Sequence, residues 1–224
     1  LFNTNMIEAS RVNKVKKFLY TSSIGVYNPN TIMKEEDVWK TFPSKNDWYS
    51  GWSKRVGELT IQACSEENKK MKISIVRPAN VFGPFDNFDK NFAMVIPSLI
   101  NKFFESKTGQ VEVWGNGMQI RDFIYSEDVA YWILKAVEIA PPGLPVNLGN
   151  GVGVTIKQIT EAIANELSPS PKILWDLDKP SGDPCRILSM DRAQEVLGYY
   201  PRTSLQQGIK KTMEWFKENP HFKK

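Results

Sequence analysis

The chain has 224 residues, 41% of them hydrophobic and 24% charged, enough to bury a real core as one large domain or two smaller lobes. Its formal charge of +4, from 29 basic and 25 acidic residues spread along the chain, contains no basic run that would mark a nucleic-acid surface, and it leaves room for a small anionic ligand. Cys64 and Cys185 sit in no paired motif, which argues against a disulfide framework; His221 is the single histidine, which argues against a histidine metal centre and a Ser–His pair; and no apolar run is long enough to span a bilayer.

The first residues, "LFNTNMIEAS", begin in a helical pattern with no initiator Met and no cap, which predicts a piece of a longer protein. No signal peptide is visible, and the expected location is cytoplasmic. Residues 17–22 form a short apolar run that predicts a buried strand, and a turn-rich stretch with Asn28, Pro29 and Asn30 follows. Residues 48–68 predict a long helix with Val56, Leu59, Ile61 and Cys64 as its apolar stripe. "KISIVRPANVFGP", residues 72–84, predicts one strand that stops at Gly83-Pro84.

A helix over 93–104 comes next. "VEVWGNGMQIRDFI" then places an Asn-Gly pair between two β-like runs, which predicts a hairpin. Residues 128–138 predict a helix, 145–150 a short strand, Thr155 the N-cap of a further helix, and 204–216 a last amphipathic helix. Strand and helix alternating in this way predict a parallel sheet with crossover helices; the hairpin and the last helices predict a smaller lobe beside it.

Several residues could carry chemistry. Ser22 and Ser23 stand at the carboxyl end of the first strand, the edge where ligands sit in open α/β sheets, although serine also ends strands simply to satisfy backbone groups. In "WYSGWSK" a phenol, Tyr49, precedes Lys54 by five residues, and Ser50 precedes it by four. A nearby ammonium lowers a phenol's pKa towards the range of a general base. Four residues along a helix turn roughly 40°, five roughly 140°, so Tyr49 and Lys54 can cooperate only if the helix starts late or takes an extra residue in its first turn. Gly51 would permit such a distortion, and that start is the expectation; otherwise the two are surface residues. Asn80 follows a strand and precedes a Gly-Pro turn, serving either the same crevice or the turn. Arg121 suits a bidentate phosphate contact or a surface ion pair.

The order and spacing of "SSIGVY", "GWSKRVGE", "RPANVFGP", "WGNG…RDFIYSEDVA", "NLGNGVGVTI" and "GD…DRAQEVLGYYPRTSLQQGI" resemble the extended short-chain dehydrogenase/reductase family of NAD(P)-dependent nucleotide-sugar epimerases, dehydratases and reductases, over nearly the whole chain. The resemblance implies an α/β fold, a partial Rossmann-type parallel sheet with a smaller C-terminal substrate lobe. It implies residues 1–80 and 126–150 for the NAD(P)-binding part and 81–125 with 151–224 for the substrate-binding part. The family's Gly-rich dinucleotide loop does not occur before the first strand, and "GNGVG" at 149–153 lies too late to be it, so about 80 residues of a first half, at ~30 per strand–helix–strand unit, are expected upstream.

Residue by residue, the resemblance implies Ser23 as the hydroxyl on the sugar, Tyr49 as the catalytic phenol beside a Ser50 that occupies the tyrosine's usual register, and Lys54 on the nicotinamide ribose. It implies Ser22 and Pro78 at the cofactor, NAD or NADP, and Asn80, Arg121 and Arg186 on the nucleotide-diphosphate sugar, with a homodimer as a possible assembly. Ile24 and Gly25 stand where the 4,6-dehydratases carry Asp-Glu, so that branch is disfavoured. "GPFDNFD" resembles the GDP-fucose synthase branch most closely, yet Gly25 and Phe85 replace that branch's proton-transfer Cys and His. The expected activity is epimerisation or 4-keto reduction by hydride transfer, with a 4,6-dehydratase or an impaired nucleotide-sugar-binding protein as the alternatives.

Overall fold

The computed structural model describes residues 2–30, 32–67, 70–179 and 182–222. Position 68, the expected end of the long helix, lies outside them. Three parallel strands form the main sheet in the order β1 (Lys17–Thr21), β2 (Lys72–Pro78) and β6 (Pro145–Leu148). β2 is central, and its residues from Ile73 onward are all buried, as a strand covered on both faces requires. On one face lie α1 (Phe2–Val12) and α2 (Trp48–Glu67), whose Ile7, Ile61 and Cys64 pack with Tyr20, Ile73 and Ile75. On the other, α4 (Ser126–Ile139) and α6 (Asp191–Leu197) bring Trp132, Ala136, Ala193 and Leu197 against Val76, Val146 and Leu148.

A second apolar cluster holds α3 (Val95–Glu105), α5 (Ile156–Asn165) and α7 (Leu205–Glu218) around Phe82, Phe123, Ile159 and Phe216. Thr155 caps α5 and Ser204 caps α7, each in a reciprocal box with a glutamine three residues on.

Two expectations fail here. The strand expected over 72–84 is two. Pro78 ends β2, the Ala79 amide donates to the Leu148 carbonyl at 2.8 Å, and β3 (Asn80–Phe82) leaves the main sheet to pair in parallel with β5 (Ile120–Tyr125). The expected hairpin over "VEVWGNGMQIRDFI" does not form either. Gly115 and Gly117 take positive φ and the Asn116 carboxamide accepts from the Met118 amide, so the chain turns away after β4 (Gln110–Trp114). β4 pairs in parallel with β8 (Lys172–Asp176), while β5 takes β7 (Gly153–Thr155) antiparallel and β9 (Cys185–Arg186) parallel. The Asn-Gly signal reported a turn; the partner of each strand was decided by which face it could bury, Val111 and Val113 against the second cluster.

Candidate active site

The crossing of the chain at Ala79 opens a cleft between the carboxyl ends of β1 and β2 and the β3–β5 sheet. A cavity of about 380 Å³ there is lined by Ser23, Gly25, Asp47, Asn80, Arg121 and Arg186 among others. Ser22 and Ser23 leave the end of β1. The Ser22 amide closes onto the Val76 carbonyl at 2.8 Å, and its buried hydroxyl has no partner among the described residues. Ser23 caps the 3-10 turn Ile24–Val26, its Oγ accepting from the Gly25 amide at 3.0 Å while facing the cavity. Lys54 Nζ donates to the Thr21 carbonyl at 2.8 Å, beside Ser22, and burial lowers its pKa.

The expected distortion at the start of α2 is absent, and the Tyr49 assignment is corrected with it. Ser44 caps a 3-10 turn, Lys45–Asp47, that runs straight into the α-helix at Trp48, with no added residue. Gly51 serves another purpose than distortion. A Cβ there would strike the Gly25 carbonyl, so its absence lets α2 press against the 24–26 turn. Helical rotation then carries Tyr49 away from Lys54, and it is 86% exposed. Ser50 shares the Lys54 face, its Oγ donating to the Asp47 carbonyl at 3.1 Å. Among the described residues no tyrosine lines the cavity. Tyr20, its ring centroid 5.4 Å from Lys54 Nζ, accepts from the Asn3 carboxamide at 3.1 Å, and burial pushes its pKa up to about 12. Tyr27 is committed beneath the sheet to Asn147 and Arg77.

The remaining residues divide. Pro78 is buried at the end of β2 and does not line the cavity. Asn80 lines it while donating through Nδ2 to the Asp122 carbonyl at 2.8 Å. Arg121 lines it with no carboxylate partner among the described residues; one guanidinium nitrogen meets the Ile120 carbonyl at 2.8 Å, and burial, then Arg186, lowers its pKa. A second cavity of about 420 Å³ adjoins at Arg121 and is lined further by Lys90, Lys102, Trp114 and Gln119. Arg186 is already engaged, shared between Asp47 and Asp183. Asp183 also accepts from the Ser44 hydroxyl at 3.1 Å and the Asn46 carboxamide at 3.0 Å. Asp47 and Asp183 are site residues that the sequence did not single out. The three-residue spacing of Asp183 and Arg186 was a signal for one pair; nothing local links Asp47 to a residue 139 positions away.

A parallel α/β sheet with a polar cleft at its carboxyl edge, a lysine and two hydroxyls at the strand end and an arginine opposite has the layout of the open α/β enzymes that bind their ligands at that edge. Residues 1–149 match the NAD dependent epimerase/dehydratase family, to which the chain belongs. The GDP-L-fucose synthase of Escherichia coli is 30% identical over 236 residues, covering 98% of this chain and 72% of that protein. The probable GDP-L-fucose synthase 1 of Oryza sativa is 30% identical over 223 residues, covering 96% and 67%. The crystal structure of a GDP-L-fucose synthetase from Naegleria fowleri bound to NADP superposes with a TM-score of 0.89 at 25% identity, covering 98% of this chain and 71% of that one. No described helix is long and apolar enough to cross a membrane.

The cofactor these comparisons imply is NAD(P), and the residues present fit part of it. The orphaned Ser22 hydroxyl and the Lys54 ammonium at the end of β1 suit the nicotinamide ribose end. No described loop here cradles a pyrophosphate after a first strand; "GNGVG" joins β6 to β7 instead.

Proposed function

We propose that this chain carries the sugar-nucleotide half of an NAD(P)-dependent nucleotide-sugar epimerase or 4-keto reductase, built from a cofactor-binding part, residues 1–80 and 126–150, and a substrate-binding part, 81–125 and 151–224. The observation that carries it is the cleft itself, with Ser23 and the Lys54 strand end on one side and, on the other, the Arg121 guanidinium, which has no ion pair among the described residues. Arg121 holds the diphosphate by charge-assisted hydrogen bonds, and the adjoining cavity with Trp114 and Lys102 takes the nucleoside. Ser23 orients the sugar hydroxyl. When bound, the nicotinamide would supply or take the hydride, and the matching hydroxyl proton would exchange with solvent in the cleft, since no tyrosine lines it among the described residues. With Gly25 and Phe85 unable to move a proton, the chemistry is confined to one sugar carbon. Exposed Trp48, Val56 and Leu59 on α2 support a homodimer.

The exposed Tyr49 and the Ser50 on the Lys54 face favour a second reading, a nucleotide-sugar binder with weak or no turnover, because a serine hydroxyl is far too weak an acid to replace a phenol. Product analysis of NAD(P)-supplemented full-length protein with GDP-, UDP- and dTDP-sugars separates the two. The expected outcome for the enzyme is an epimerised or reduced product whose rate Tyr49→Phe leaves unchanged and Ser50→Tyr raises about 10²-fold or more, the scale of a general acid–base group; binding with no product even in Ser50→Tyr would leave the binder. A large loss in Tyr49→Phe would show that Tyr49 reaches the substrate after all.

A further inference from the structure

The sugar end of the cleft has a charge pattern that the family resemblance does not supply. Asp47, Arg186 and Asp183 form one network of two carboxylates and one guanidinium, a formal charge of −1, on the wall that carries Ser23 and Gly25. Asp47 gives one carboxylate oxygen to Arg186; the other, Oδ1, has no partner among the described residues. Gly25 carries no side chain between Ser23 and the Asp47 carboxyl group. A Cβ built on Gly25 would stand 3.4 Å from Ser23 Oγ and 3.5 Å from the Asp47 carboxyl carbon, so both groups border one small volume. A sugar ring held by Ser23 would therefore meet a carboxylate with a free acceptor.

We propose that Asp47 is a specificity residue, selecting nucleotide sugars whose ring presents a hydroxyl or an ammonium to it and rejecting those that present a carboxylate. This rests on the cleft being a nucleotide-sugar site. Oδ1 can only accept hydrogen bonds. A sugar hydroxyl or amine supplies a donor, whereas a uronate brings a second anion into a partly buried space where like charges repel far more than in water. Arg186 softens that repulsion and cannot abolish it, because Asp183 already claims its other side.

Calorimetry on the full-length protein tests the idea with GDP and UDP alone, then with UDP-glucosamine, UDP-glucose and UDP-glucuronate. The expected order of affinity is amino sugar, neutral sugar, uronate, with the uronate at least about tenfold weaker than the neutral sugar. In Asp47→Asn the uronate should come to within about twofold of the neutral sugar, while UDP binds as before. The order across the unsubstituted chain stands as a test even if the variant fails to fold. Equal affinity for glucose and glucuronate forms, or an unchanged ratio in a folded Asp47→Asn, overturns the proposal while leaving the site reading intact. Failure of the nucleoside diphosphates themselves to bind would remove that reading, and the specificity argument with it.

Discussion

Two polar networks built from the same residue types lie within this chain, one beneath the main sheet and one in the cleft. Beneath the sheet, Arg77 and Glu58 are both fully buried and paired in a fork at 2.9 and 2.6 Å. The remaining Arg77 nitrogen donates to Tyr27 and to the Glu35 carbonyl, both at 2.9 Å. Tyr27 donates to Asn147, whose own amide donates to Glu35 Oε1 and whose Nδ2 reaches the Met33 and Ser189 carbonyls. This network closes on itself. At the cleft, among the described residues, Arg186 Nε has no partner, Asp47 keeps a bare oxygen and Arg121 has no carboxylate, and beside it at the end of β1 the Ser22 hydroxyl is unpaired. Burial of polar groups costs stability unless they are satisfied, so a saturated network reads as structure and an unsaturated one at a cavity reads as a ligand site.

The strongest test of that contrast removes one partner from the closed network. Glu58→Ala strands the Arg77 guanidinium between α2 and β2 and should cost ~3–5 kcal/mol in urea unfolding, the usual penalty for an uncompensated buried charge. A loss under ~1 kcal/mol would mean that water reaches Arg77 and that the two networks differ less than their geometry says. In the cleft, Arg121→Ala should behave oppositely. Unfolding free energy should change by less than ~1 kcal/mol, because no carboxylate is abandoned. The dissociation constant for GDP or UDP should rise between ten- and a hundredfold, since a charge-assisted contact to phosphate is lost. An unchanged dissociation constant would assign Arg121 to the fold alone.

The sequence made the frame of this contrast legible and hid its wiring. Periodicity placed α4, α5 and α7 to within a few residues, because each buries an apolar face, and it placed α2 as well, although of the expected stripe only Ile61 and Cys64 are buried while Val56 and Leu59 face out. Ser23 and Asn80 could be singled out because each follows a strand, and Arg121 because a guanidinium suits a phosphate; all three line the cavity. Long-range choices were not legible. The hairpin failed because β4 and β5 found partners across the chain, β8 in one case and β3 and β9 in the other. Tyr49 failed because the local rule was overridden by contact. Gly51, read as a point of freedom, is fixed by the approach of α2 to Gly25. Asp47 looked like a helix-start residue, and its ion pair with Arg186 spans 139 positions.

Asp122 lies on the border between the two regions and gives the smallest and finest test. Its backbone carbonyl receives Asn80 in the cleft wall, while its buried carboxylate accepts amides from Asn150 at 2.7 Å, Gly151 at 3.1 Å and Leu188 at 3.3 Å. Burial outweighs those three donors and pushes its pKa from 3.8 up to about 6. The native state thus holds a proton that the unfolded chain has already released, and Asp122 stabilises the fold most below its unfolded pKa. That contribution drains away as pH rises through about 6, by ~1 kcal/mol between pH 5 and pH 7. Glu35, also raised by burial, adds a change of the same sign, so the wild-type slope alone is not diagnostic. The difference between wild type and Asp122→Asn is. Asparagine cannot titrate, and urea midpoints should show the wild type losing more stability than the variant as pH climbs from 5 to 7. Parallel pH profiles would mean that the three amide donors prevail over burial and keep Asp122 ionised throughout, placing it with the closed network beneath the sheet.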